Sequence, residues 1–326
     1  MRIAILGAGA WGSALAVSLC GDHDVRLWTR RAEAAGELAR LRESPYLPGV
    51  RFPDALRIEP ELASALAGSD LALVATATAG LRGTAAAVAR VRPEIDLLWA
   101  CKGFETATRK LPHEVVAEAL PAARHAGALS GPSFALEVAH GQPTALVLAC
   151  PDAGFATRTA AALNDARLRI YSSTDLVGVE LGGAVKNVIA IAAGIADGLS
   201  LGRNARAALI TRGLAEIVRL GVAVGGQAET FMGLAGLGDL VLTCTGELSR
   251  NRDVGLRLAR GQALGTLLGE LGHVAEGVQS ASCVRDLARE KGVEMPITEA
   301  VCEVLFESVP PADAVRRLLA RDPKPE

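Results

Sequence analysis

Residues Gly7-Ala8-Gly9-Ala10-Trp11-Gly12 follow an apolar run, Arg2-Ile3-Ala4-Ile5-Leu6, and open a segment of helical composition over residues 13–19. No other stretch restricts the fold as much. In a G-x-G-x-x-G turn the first glycine bends the chain, the second lets backbone approach a pyrophosphate, and the third lets helix and strand pack closely. The pattern alone is common. Placed after an apolar strand and ahead of a helix, it implies a doubly wound α/β unit that binds a dinucleotide, with Gly7, Gly9, Ala10, Trp11 and Gly12 as contacts. The competing reading is a glycine-rich turn without a ligand.

Further short apolar runs lie at 25–29, 71–76, 96–101, 128–130, 144–150 and 168–172, and Ala/Leu/Arg/Glu segments of helical length separate most of them, as at 31–42 and 81–91. Alternating strands and helices imply right-handed crossovers and a mainly parallel sheet covered on both faces. Past residue 173 the character changes. Long apolar segments over 176–225 and helical patterns near 278–291, 296–307 and 311–320 flank a glycine-rich stretch, 232–251. The expected fold class is therefore a Rossmann-type α/β domain over residues 1–177 followed by an all-α domain over 178–326.

The 326 residues are 50% hydrophobic and 3% aromatic, so the cores must be built from Ala, Val, Leu and Ile. A formal net charge of −2, without a basic block, argues against nucleic acid as a partner. The mean hydropathy of +0.29 raises the question of membrane insertion. The best candidate run is interrupted by Lys186 and ends at Asp197, so it reads as a buried helix. No secretory pattern opens the chain, and the six dispersed cysteines lack metal-type spacing, which points to a cytoplasmic protein with reduced thiols. The five histidines form no ligand spacing, so each is expected at the surface or a helix end and no metal is expected. Cys101 and Cys244 lack an adjacent histidine base, which argues against a nucleophilic mechanism.

The second strand decides between dinucleotides. It runs Val25-Arg26-Leu27-Trp28-Thr29 into Arg30-Arg31, with no acid at its end to bond a ribose 2′-hydroxyl. Two arginines suit a 2′-phosphate, so NADP(H) is expected over NAD(H), with NAD(H) possible. The alternative is two solvated arginines that start a helix.

Lys186 is the only charged side chain between Glu180 and Asp197. Of 34 basic residues five are lysines, so a chain that nearly always chooses arginine has placed a lysine here. Desolvation favours the neutral amine, and lysine, unlike arginine, can exchange its proton. Its helical neighbours Gly182, Gly183 and Ala190 leave room for a ligand. The reading is a proton donor and acceptor; the alternative is a lysine snorkelling from a helix end. Lys102 follows an apolar strand, where open α/β sheets bind ligands, or else it begins an exposed loop. Gly131 and Ser133 follow a strand at an expected helix start, a natural anion site. Arg250 and Asn251, with Ser249 beside them, suit phosphate recognition. Asp239 lies in Gly-Leu-Gly-Asp-Leu, either at a ligand or as a helix N-cap.

Taken together, Gly7–Gly12, Cys101-Lys102-Gly103-Phe104-Glu105, Ser130-Gly131-Pro132-Ser133-Phe134-Ala135, Leu181-Gly182-Gly183-Ala184-Val185-Lys186-Asn187, Gly236-Leu237-Gly238-Asp239-Leu240 through Leu248-Ser249-Arg250-Asn251, and Val274-Ala275-Glu276-Gly277 resemble the bacterial NAD(P)-dependent glycerol-3-phosphate dehydrogenases. The resemblance implies interconversion of dihydroxyacetone phosphate and sn-glycerol 3-phosphate, feeding phospholipid synthesis, by a cytoplasmic homodimer. It implies Lys186, Lys102 and Asp239 as catalytic residues. It places Lys102, Gly131, Ser133, Lys186, Asn187, Asp239, Ser249, Arg250 and Asn251 on the phosphate substrate. Lys102, Ala135, Arg250, Val274 and Glu276 join Arg30, Arg31 and the glycine turn as cofactor contacts. Two segments depart from the family pattern: Val74-Ala75-Thr76-Ala77-Thr78 replaces a Val-Pro-Ser-like turn, and Cys101 replaces a threonine. Two other classes remain open, a NADP-linked 2-ketoacid or 3-hydroxyacid reductase with a similar helical domain and a non-catalytic NADP sensor. The phosphate-suited segments argue against the first, and retention of Lys186, Lys102 and Asp239 against the second.

Overall fold

The computed structural model describes residues 1–271 and 275–322. Val274, an expected cofactor contact, and His273 lie outside the described residues. The chain divides into two compact units, Met1–Glu180 and Leu181–Glu326.

The first unit alternates strands and helices: β1 Arg2–Leu6, α1 Ala10–Leu19, β2 Asp24–Trp28, α2 Ala32–Leu41, β3 Glu43–Ser44, β4 Leu47–Arg51, β5 Arg57–Glu59, α3 Leu62–Leu66, β6 Leu71–Val74, α4 Leu81–Val91, β7 Asp96–Trp99, α5 Pro112–Ala119, β8 Ala126–Ser130, α6 Ala135–Ala139, β9 Thr144–Ala149, α7 Ala153–Leu163 and β10 Leu168–Ser173. Eight strands form one sheet in the order β10-β9-β8-β7-β6-β1-β2-β5. Central strands are buried on both faces, which is why they read as unbroken apolar runs rather than alternations: all of Leu71–Val74 is buried, and Ile3 through Leu6 are fully so.

The sheet is mainly parallel, with one reversal that the sequence reading did not anticipate. β8 and β9 pair antiparallel, Leu129 opposite Leu148. The connecting α6 is five residues long and packs against α1, so no helix carries the chain back across the sheet for a parallel return. Also unanticipated were the β3–β4 hairpin, whose strands carry Pro48 and Gly49, and the three-residue edge strand β5 beside β2. Pro48 and Gly49 break the period-two signal on which strand recognition rests.

In the second unit the helices are α8 Leu176–Gly198, which begins five residues before the boundary, α9 Gly202–Ala223, α10 Ala228–Met232, α11 Asp239–Thr245, α12 Arg250–Ala259, α13 Leu264–Leu271, α14 Glu276–Glu290, α15 Pro296–Phe306 and α16 Pro311–Leu319. A π-helical turn, Leu234–Gly238, leads into α11. α8 is long and apolar enough to cross a membrane, but 94% of its most apolar window is buried in protein. Packing of α8 on α12 is close: a Cβ on Gly194 would stand 1.9 Å from the Arg252 carbonyl oxygen, and one on Gly255 2.0 Å from that of Ile191. The end of α8 is tied down by Asp197, which accepts from Arg252 Nε at 2.8 Å and Arg206 Nη1 at 3.1 Å. Glu216 of α9 caps α15 from outside, accepting from the backbone N–H of Ile297 at 2.6 Å and Thr298 at 3.2 Å and from the Thr298 hydroxyl at 3.1 Å. Burial outweighs these donors and pushes the Glu216 carboxyl up to about 7.

Candidate active site

Strand order reverses between β1 and β6: the chain builds to one side through β2 and β5 and to the other through β7 and β8. The crevice at such a switch point, beyond the carboxyl ends of the strands, is where open α/β sheets take their ligands. The Gly7–Gly12 turn leaves β1 there. Gly7 has φ +123°, and a Cβ on it would lie 2.9 Å from the Ala75 carbonyl, the first residue beyond β6. A Cβ on Gly12 would stand 1.9 Å from the Gly7 oxygen, so helix and turn meet with no room for a side chain. Gly9, by contrast, is the N-cap of α1, and no atom lies within 4 Å of its Cβ position. Bare backbone N–H groups at a helix start, beside a face free of protein, fit a pyrophosphate. Ala10 and Trp11 are the first two residues of α1, and Arg30 and Arg31 are exposed just past β2, with Arg31 at the N-cap of α2. The segment that departs from the family pattern packs directly against this turn, at Ala75 and Thr76. Its Thr76 and Thr78 hydroxyl oxygens are buried with no hydrogen-bond partner.

Three of the expected substrate residues of this unit converge on one carbonyl. Gly131 O accepts from Lys102 Nζ at 3.1 Å and from the Ser133 hydroxyl at 3.1 Å. The helix start expected here falls later: α6 begins at Ala135 with Phe134 as its N-cap. Gly131 and Ser133 are therefore loop residues, because their own hydrogen bond closes a turn ahead of the helix.

In the second unit Lys186 is 6% exposed and Asp239 1%. The lysine ammonium donates to Asp239 Oδ1 and, at 2.7 Å, to Thr243 Oγ1. Thr243 in turn donates to the Asp239 backbone carbonyl one helical turn earlier, at 2.6 Å. The apolar run around Lys186 is thus half of its environment; a buried counter-ion supplies the other half. Asp239 is the first residue of α11, with Gly238 at the N-cap, so its carboxylate serves the lysine rather than the helix end.

Asn187, next along α8, accepts from Asn251 Nδ2 at 3.0 Å, and Asn251 Oδ1 accepts from the Gly277 backbone N–H at 3.0 Å. This amide relay links α8, α12 and α14. Ser249 is the N-cap of α12, its hydroxyl accepting from the Arg252 N–H at 3.3 Å. Arg250, exposed, and Asn251 are the first two residues of α12, and Glu276 is the first of α14.

Some site residues were missed from sequence. Thr243 carries a readable signal, a polar residue one turn after Asp239 in an apolar helix. Two histidines pair with carboxylates: His113, at the start of α5 and so at a helix end as expected, is bound to the buried Glu180, and His125, partly buried just ahead of β8, bonds Asp96 at 2.9 Å and stacks on Phe155. Cys244 is fully buried, and burial pushes its thiol up to about 12, which leaves it inert. Among the described residues no three His, Cys, Asp or Glu side chains group as metal ligands.

A dinucleotide crevice in an α/β unit, followed by a helical unit with a buried lysine–carboxylate pair, defines a nicotinamide-linked oxidoreductase. The family comparisons make this specific. The N-terminal model of the NAD-dependent glycerol-3-phosphate dehydrogenases matches residues 2–156 and the C-terminal model residues 175–316, so the chain belongs to that family. A relative from Thiobacillus denitrificans named glycerol-3-phosphate dehydrogenase, NAD(P)+, is 57% identical over the full length of both chains. The crystal structure of glycerol-3-phosphate dehydrogenase from Coxiella burnetii superposes with a TM-score of 0.93 at 41% identity, covering 98% of each chain.

Proposed function

We propose that this chain interconverts dihydroxyacetone phosphate and sn-glycerol 3-phosphate with NAD(P)H, and that the Lys186–Asp239–Thr243 cluster delivers and recovers the proton. Reduction of the ketone needs a hydride, a proton for the developing alkoxide, and a grip on the phosphate. Bound nicotinamide supplies the hydride. Lys186 donates the proton to the carbonyl oxygen and takes it back in the reverse direction. Asp239 and Thr243 hold its Nζ in place, so no reorganisation is needed when the proton moves. Lys102, steadied on the Gly131 carbonyl, offers a second cation to the substrate. Arg250 and the N-terminus of α12 take the phosphate, by charge-assisted bonds and free backbone N–H groups. Asn187 and Asn251 keep α8 and α12 in register for this.

Residues 1–177 are the dinucleotide domain in this reading, and 178–326 the substrate and catalytic domain. Arg30 and Arg31 favour NADP(H) over NAD(H). Ala135 and Glu276 complete the cofactor contacts, together with Val274. The protein works in the cytoplasm on a small phosphate ester, as a homodimer. An apolar groove of about 1130 Å³ between α9, α15 and α16, with Val222 and Leu319 exposed, supports self-association. The observation that carries the reading is a buried lysine whose counter-ion opens a helix in the glycine-rich stretch. The test follows NADPH oxidation at 340 nm with dihydroxyacetone phosphate, then with 2-ketoacids. Turnover of the phosphate substrate alone supports the reading; turnover of ketoacids alone refutes it.

A further inference from the structure

One buried carboxylate holds both ends of the loop that carries Lys102. β7 stops at Trp99 and α5 starts at Pro112, with Lys102 between them. Glu180, whose side chain is 2% exposed, accepts at Oε1 from the Trp99 indole N–H at 2.8 Å and from the His113 backbone N–H at 2.9 Å. Its other oxygen, Oε2, lies 2.5 Å from His113 Nδ1. Trp99 is the last residue before the loop and His113 the second residue after it. A carboxylate this buried is costly to desolvate and persists where its partners require it.

The loop interior is braced separately. Arg82 of α4 bonds both oxygens of Glu105 at 2.8 Å, and the Glu105 N–H donates to the Lys110 carbonyl at 3.0 Å. With its middle tied to α4 and its ends tied to Glu180, the loop has little freedom left. Lys102 sits between the Trp99 anchor and Gly103, whose φ of +128° turns the chain. We infer that Glu180 is a positioning residue for Lys102: by gripping Trp99 and His113 it fixes where the loop leaves β7 and enters α5, and so where the Lys102 ammonium is presented. The inference rests on the proposed function for Lys102's substrate role, while the clamp itself is independent of it.

The test compares Glu180→Leu, Glu180→Gln and Trp99→Phe. Two readouts are taken on the full-length protein: amide hydrogen exchange in peptides covering residues 101–111, and KM for dihydroxyacetone phosphate with kcat and the NADPH Kd alongside. Glu180→Leu is expected to speed loop exchange and raise KM, each by about tenfold, with the NADPH Kd within about twofold of wild type. Glu180→Gln keeps an acceptor for Trp99 and the His113 N–H, and is expected to stay within about threefold. Should Glu180→Leu fail to fold, Trp99→Phe, which deletes one donor and keeps a ring, carries the same test with about a threefold change. Unchanged loop exchange in Trp99→Phe overturns the inference. So does a loss of NADPH affinity in step with the rise in KM, because that marks a general structural defect. A wild-type enzyme that ignores dihydroxyacetone phosphate defeats the proposed function, and the exchange readout then decides the clamp alone.

Discussion

Lys186 and Asp239 should be coupled far more strongly than surface ion pairs are. Their side chains are 7% and 1% exposed, and the ammonium has Thr243 as a further partner. Asp239→Asn takes the carboxylate away from a buried cation, and Lys186→Met takes the ammonium away from a buried carboxylate. Each should cost about 3–5 kcal/mol, the range for breaking one side of a buried pair. The double variant removes both charges. Thr243 keeps its own bond to the Asp239 backbone, so the remaining cost is an imperfectly satisfied amide, about 1–3 kcal/mol. The expected coupling is therefore at least about 3 kcal/mol. Urea unfolding of the four proteins, compared by midpoint at a common slope, measures it. Single effects that add to within about 0.5 kcal/mol would refute the reasoning, since groups without a shared interaction behave that way.

Three other outcomes follow from the geometry. Gly9→Ala should leave stability unchanged, because its Cβ meets no protein atom, yet weaken NADPH binding by at least about tenfold where backbone must approach the pyrophosphate; equal affinity by fluorescence titration contradicts this. Arg31→Ala should raise KM for NADPH by about tenfold and leave KM for NADH alone, and wild-type kinetics with both would remove the 2′-phosphate role. Glu216 stands at about 7 against an ordinary 4.5. Its contribution is full below 4.5 and is lost as pH rises through about 7, a swing on the order of 3 kcal/mol. Glu216→Gln should flatten that part of the stability–pH curve, and an unchanged curve would place the titration elsewhere.

The first unit was legible because its strands are buried on both faces and separated by helices, a pattern carried by neighbouring residues. The reversal at β9 was not, since it depends on where α6 packs. The same division runs through the site. The glycine turn and the isolated Lys186 stand out in the sequence, but the partners of Lys186 lie 53 and 57 positions away, and Glu180 reaches Trp99 across 81. Such pairings follow from helix packing, here from the contact of α8 with α12 through Gly194 and Gly255, and nothing local announces them. Ser249 shows the converse: its capping of α12 is a local bond that its residue type and place at a helix start announce.

In the proposed reaction Lys186 is the proton donor and acceptor. Single-turnover reduction of dihydroxyacetone phosphate by Lys186→Ala, with NADPH binding measured on the same sample, tests it most directly. A fall in rate of at least about 10² with NADPH affinity retained is the predicted result. A wild-type rate would take the proton-transfer role away from Lys186.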